Sequence, residues 1–114
     1  FPKQKGGEMM NNKKLGDLFE NELAQTLSRK GFWVYITKSK IGGQPADIIA
    51  ARNHIPYLID CKVCSDNSFD TARIEENQKN AMYLFDKCGN NNGFFALKMP
   101  VVVPLCYIGK TSVL

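Results

Sequence analysis

The chain has 114 residues, a net charge of +4, 44% apolar residues and 23% charged residues. That length accommodates one domain around one core, with the balance of a soluble globular protein rather than a disordered or fibrous one. The positive charge is a mild bias towards polyanions, too small to imply nucleic acid by itself.

No apolar run reaches the roughly 20 residues that span a bilayer. The longest, residues 99–108, is broken by Pro100 and Pro104. No signal-peptide pattern opens the chain. A soluble, intracellular (cytoplasmic) protein with no membrane partner is expected. Residues 1–10 show no apolar period and read as a disordered leader or an appended remnant, leaving residues 11–114 as a single domain. The four cysteines are Cys61, Cys64, Cys88 and Cys106. Cys61 and Cys64 form a C-x-x-C, but no second pair completes a zinc set, and Cys61 falls inside a strand rather than at a helix start. Buried free thiols in a reducing compartment are the expectation.

In chain order, Asn11 or Asn12 can cap a helix running to about Lys30, with Leu15, Leu18, Phe19, Leu23 and Leu27 at helical spacing. Gly31 ends it. Glu20 and Glu22 both border the apolar stripe, and the wheel does not choose between them. Residues 32–37 (FWVYIT) are β-branched and aromatic, a strand whose continuous apolarity implies burial on both faces. Trp33 and Tyr35 are therefore assigned to the core rather than to a base-stacking surface. Residues 38–45 form a loop rich in Lys, Ser and Gly, which can lay backbone N–H groups and ammonium ions along a phosphate chain.

A hairpin follows, with strands at 47–51 and 57–63 and a polar turn carrying His54, which reads as a surface residue. Side chains alternate along a strand, so Asp60 and Lys62 share a face and Cys61 takes the other. A carboxylate and an ammonium beside a buried run are costly to keep there and need a reason. Asp47, on the paired strand, can bring a second carboxylate. Two carboxylates and a lysine can serve a hard cation and an activated water. Asp70 or Thr71 can cap a second helix over residues 71–88, with Glu75 and Glu76 in its first turns and a stripe of Ile74, Ala81, Met82, Phe85 and Cys88. Gln78 falls on that stripe and must find hydrogen-bond partners, either within the core or in the cleft of Asp60 and Lys62. Strands are expected at 93–98 and 101–108, the second bent at Pro104. The element order α-β-β-β-α-β-β describes an α/β domain with a mixed sheet flanked by helices.

These residues carry a resemblance. Gly16-x-x-Phe19-Glu20 in the first helix, Asp47 at a strand start, Asp60-Cys61-Lys62 at a strand end and Gln78 in the next helix look like the PD-(D/E)XK nuclease superfamily. The set is similar to its Holliday-junction resolvases, both the archaeal type and the bacterial and phage RecU type. The resemblance covers about residues 15–99. It implies a restriction-endonuclease-like fold with a central sheet of four or five strands. It implies that Asp47, Asp60, the Cys61 backbone carbonyl and Glu20 hold Mg²⁺, with Mn²⁺ able to substitute. Lys62 would orient and help deprotonate the attacking water, and Gln78 would support Lys62 or the scissile phosphate. It also implies a homodimer acting on DNA, with a four-way junction as substrate and symmetric nicks as product. Lys13, Lys14, Lys38, Ser39 and Lys40 are the expected nucleic-acid contacts. The small size fits a phage or mobile-element origin by analogy.

The chain departs from the pattern in three places. Ala46 separates Pro45 from Asp47, Asp60 stands where many relatives have Glu, and only residues 38–46 fill the space of a long RecU-type insertion. The alternatives are a related nuclease acting on flaps, nicks or duplex ends, a non-catalytic nucleic-acid-binding module on the same fold, and a small zinc domain built on Cys61 and Cys64.

Overall fold

The computed structural model describes residues 11–37, 46–100 and 106–110. Helix α1 spans Asn12–Arg29, and the Asn11 side chain accepts a hydrogen bond from Lys14 N–H at its start. Its end is a Schellman closure: Phe32 N–H reaches the Leu27 carbonyl and Gly31 N–H the Ser28 carbonyl. Gly31 sits at φ +92°, a conformation that a side chain would strain. The buried part of the α1 stripe is Phe19, Leu23 and Ala24, whereas Leu15 and Leu18 remain exposed.

Strands β1 (Trp33–Ile36), β2 (Ile48–Arg52) and β3 (Ile55–Val63) form an antiparallel meander. The β2–β3 turn is tighter than the sequence implied. Asn53 and His54 both adopt positive φ (53° and 68°), the geometry that matches the twist of a two-residue hairpin. The expected second helix divides in two. Asp70 caps a single 3₁₀ turn, Thr71–Arg73, through Ala72 N–H. The chain is extended at Ile74 and Glu75, and helix α2 then runs over Glu76–Lys87 with Glu75 as its N-cap. Strand β4 (Gly93–Lys98) lies parallel to β3, as a crossover through α2 requires. Strand β5 occupies Cys106–Lys110, later than the expected 101–108, and pairs antiparallel with β4. The part of that expectation at 101–105 lies outside the described residues.

The sheet order is β1-β2-β3-β4-β5. Alternation along the strands divides the core in two. On one face, Phe19, Leu23 and Ala24 of α1 meet Ile48, Ala50, Ile59 and Ala96. On the other, Met82 of α2 meets Ile74, Phe95 and Ala46. The sheet is thus a middle layer between two helices, as expected. At Gly93 an added Cβ would stand 2.8 Å from Met82 Sδ, so a side chain at the start of β4 would oblige the buried Met82 to shift.

One expectation fails on β1. Its apolarity implied burial on both faces, but Trp33 is 63% and Tyr35 54% exposed. The strand is an edge of the sheet. Phe32, Val34 and Ile36 pack towards α1, and α2 covers β3 and β4 on the opposite face. Among the described residues no helix is long and apolar enough to cross a membrane.

Candidate active site

Among the described residues, Asp60 and Gln78 are the buried polar side chains. Everything else in the candidate site is arranged around them. The β2–β3 ladder is regular as far as the Ile48–Ile59 pair. Beyond it, Asp47 N–H donates to the Ile59 carbonyl (2.9 Å), and Asp47 Oδ2 accepts from Cys61 N–H at 2.7 Å. A strand amide that regular pairing would satisfy is thus satisfied by a carboxylate, which fixes that carboxylate beside β3. Thr37 holds the same segment from the far side. Its N–H donates to the Asp47 carbonyl at 2.9 Å and its hydroxyl to the Ala46 carbonyl.

Asp60 and Lys62 project from one face of β3, beside Phe95 and Leu97 of β4, both buried. Lys62 Nζ lies 3.2 Å from Asp60 Oδ2. It also donates to Gln78 Oε1 at 3.1 Å. Gln78 Nε2 donates to Asp60 Oδ1 at 3.2 Å, and Gln78 Oε1 accepts from Glu75 N–H at 3.0 Å. An ammonium and an amide N–H on one side, and a carboxylate on the other, allow one orientation of the glutamine amide. The displaced start of α2 makes this possible, because Gln78 stands three residues past the N-cap and can return to the Glu75 amide.

The Asp60–Lys62 contact is an ion pair without hydrogen-bond alignment. Asp60 Oδ2 is buried with no hydrogen-bond partner among the described residues. Burial, and then the charge of Asp47, push the Asp60 carboxyl up to about 7, while Lys62 pulls it down. A buried carboxylate oxygen without a donor, beside a second carboxylate, is a place where a hard cation would relieve both desolvation and repulsion. The donor set of Asp47 and Asp60 therefore fits an oxygen-ligated divalent ion. Among the described residues, no group of three or more His, Cys, Asp or Glu side chains forms a metal-holding cluster.

Glu20 is half-buried on α1. Its charge reaches the Cys61 thiol, which burial, Asp47, Glu20 and Asp60 together push up. That is the opposite of what a zinc thiolate needs. Cys64 is buried, but Cys88 is exposed, contrary to the expectation of a buried thiol. Glu22, the other candidate on the α1 stripe, pairs with Lys98 Nζ at 2.6 Å on the surface. Lys13 and Lys14 are exposed, with Lys13 paired to Asp17 at 3.2 Å. Lys38, Ser39 and Lys40 lie outside the described residues. His54 is exposed in its turn, as expected, and Phe95 is fully buried.

Two contributors carry no signal of their role in the sequence. Thr37 reads there only as the end of a strand. Glu75 acts through its backbone amide, which is independent of residue type.

The model of the family described as archaeal Holliday junction resolvase (Hjc) matches residues 10–110. The 1.6 Å structure of Archaeoglobus fulgidus Hjc, described as a Holliday junction resolvase from an archaeal hyperthermophile, superposes with a TM-score of 0.64. It is 19% identical, and the match covers 82% of this chain and 71% of that one, a likeness of fold. No curated protein matches the chain.

Proposed function

The chain belongs to the archaeal Holliday junction resolvase family, and on that footing we propose that it is a metal-dependent endonuclease that cuts four-way DNA junctions with paired, symmetric nicks. The observation that carries the reading is Asp60 Oδ2, buried without a hydrogen-bond donor between the Lys62 ammonium and the neighbourhood of Asp47. A fold that only bound DNA would have no use for so costly an arrangement.

Asp47, Asp60, the Cys61 carbonyl and Glu20 are the residues that would hold Mg²⁺, or Mn²⁺ in its place. When bound, such an ion supplies charge stabilisation for the phosphoryl oxygens and lowers the pKa of a coordinated water. The remaining work falls to this chain's own groups. Lys62 Nζ, held by Gln78 Oε1, is a positioned ammonium that orients the attacking water and stabilises the negative charge that develops as that water gives up its proton to solvent. Gln78 keeps Asp60 and Lys62 at fixed separation, so the acid and the ammonium act as a unit. Phe95 and Leu97 keep bulk water from the inner side of the site, which strengthens each charge interaction there.

Symmetric cutting of a junction needs two such centres, so a homodimer is part of the proposal. Lys13, Lys14, Lys38, Ser39 and Lys40 are proposed to contact the DNA backbone, and a DNA substrate sets the protein's work inside the cell. The site assignment is tested by Asp47→Asn and Asp60→Asn. Each should keep its circular dichroism spectrum and its DNA binding while losing cleavage. Cleavage that survives either change would remove that carboxylate from the reaction.

A further inference from the structure

Trp33 and Tyr35 have no place in the site described above, yet they stand on the same face of the sheet. Phe32, Val34 and Ile36 pack towards α1, so alternation turns Trp33 and Tyr35 to the opposite face, the one that carries Asp60 and Lys62. Helix α2 covers β3 and β4 on that face, through Met82 against Phe95, and leaves β1 open. Both aromatic residues are more than half exposed. Their rings are nearly parallel, with 9° between the planes and 6.4 Å between centroids.

The register places this pair relative to the acids. Trp33 is opposite Ala51, and Tyr35 is opposite Ile49, which in turn is opposite Leu58. The next side chain along β1 on this face is Thr37, whose N–H binds the Asp47 carbonyl. Tyr35 is therefore one strand repeat, about 7 Å, from the row that holds Asp47 and Asp60, and Trp33 is about twice as far. The residue opposite Trp33 is the small Ala51, and Trp33 is the more exposed of the two aromatics.

We propose that Trp33 and Tyr35 form a stacking platform for unstacked bases, unpaired or at the open centre of a branch, of the DNA strand whose phosphate enters the Asp47–Asp60 site. This rests on the nuclease reading above and extends it to the form of DNA that the site prefers. Flat aromatic faces take any base, because every base presents a π-face. The adjoining acids bind no phosphate unaided, so the stack also holds the strand where charge alone repels it. Fully paired duplex keeps its bases stacked on each other and cannot use the platform. Branch points and single strands can.

Trp33 is the sole tryptophan of the chain, so its fluorescence reports on this surface alone. The test is a titration of the full chain in EDTA with unlabelled oligothymidylate, an open four-way junction and a blunt duplex. Binding is followed in parallel by anisotropy of labelled DNA. The expected result is quenching of Trp33 by the first two and little by the duplex. Trp33→Ala and Tyr35→Ala should each weaken binding of single-stranded and branched DNA about ten-fold or more, and Trp33→Phe, which keeps a ring, should restore most of it. DNA bound without quenching, equal quenching by blunt duplex, or unchanged affinity in Trp33→Ala would overturn the platform and leave the nuclease reading intact. So would sedimentation showing that Trp33→Ala turns a dimer into a monomer, because the face would then serve a second copy of the chain. Failure of the wild type to bind any DNA would overturn the nuclease reading, and the platform with it.

Discussion

Gln78 Nε2 donates to Asp60 Oδ1 across 3.2 Å, and both side chains are buried. The same amide accepts from Lys62 and from the Glu75 backbone, so one side chain from α2 sets the spacing of a carboxyl and an ammonium on β3. Gln78→Ala leaves the Glu75 amide, the Lys62 ammonium and the Asp60 carboxylate each short of a partner. A loss of about 1–3 kcal/mol in stability is expected from the unsatisfied groups. Cleavage should fall by about 10- to 100-fold, the usual effect of removing a support behind metal ligands. Chemical denaturation and single-turnover cleavage measure the two separately.

The pH dependence of stability follows from Asp60. Its carboxyl is raised from 3.8 to about 7 by burial and by Asp47. Between those values the folded chain holds a proton that the unfolded chain has released. Stability therefore falls as pH rises through this window, and the loss is complete above about 7. The raised pKa corresponds to an effect on the order of a few kcal/mol. Thermal melts across pH should show this decline in the wild type and a flatter profile in Asp60→Asn. A decline of equal size in the variant would assign it to other groups.

The charge of Lys62 lowers the Asp60 pKa. In Lys62→Met that influence is gone, so the Asp60 proton should be held to higher pH. Because a protonated carboxyl competes with a cation, the pH at which Mg²⁺ begins to bind should shift upward in the variant. Cleavage should drop by about 10²- to 10³-fold, the range for loss of a group that stabilises charge developing at the reacting centre. Calorimetric Mg²⁺ titrations at several pH values check the first point and rate measurements the second.

Much of this site is legible in the residues. The period of two along β3 puts Asp60 and Lys62 on one face, and the period of 3.6 along α2 puts Gln78 on a buried stripe. Local patterns carry such facts because they depend only on chain geometry. The two borders of the α1 stripe look alike, and Glu20 is preferred to Glu22 only through the family resemblance. The start of α2 is ambiguous because Asp70 and Glu75 are both competent caps, and the choice depends on how the preceding loop packs. The exposure of Trp33 and Tyr35 is hidden for a different reason. A run such as FWVYIT looks the same in a central strand as at an edge. Which one it becomes depends on the order of strands and on where α2 crosses, neither of which is written in the run itself.

Lys38 and Lys40 are proposed to bind phosphates of the DNA backbone. Lys38→Ala combined with Lys40→Ala should weaken DNA binding and reduce the slope of log affinity against log salt by about 2, one for each lysine removed. An unchanged slope would take both lysines out of the interface.

In the proposed function, this chain cuts branched DNA at the Asp47–Asp60–Lys62 site in a divalent-metal-dependent reaction. It is tested most directly by incubating the protein with an end-labelled four-way junction in Mg²⁺, Mn²⁺ or EDTA, beside linear duplex, flap and single strand. Paired nicks at symmetric positions on opposing strands of the junction are expected, in either metal and not in EDTA. Junction bound but left uncut in both metals would contradict that function.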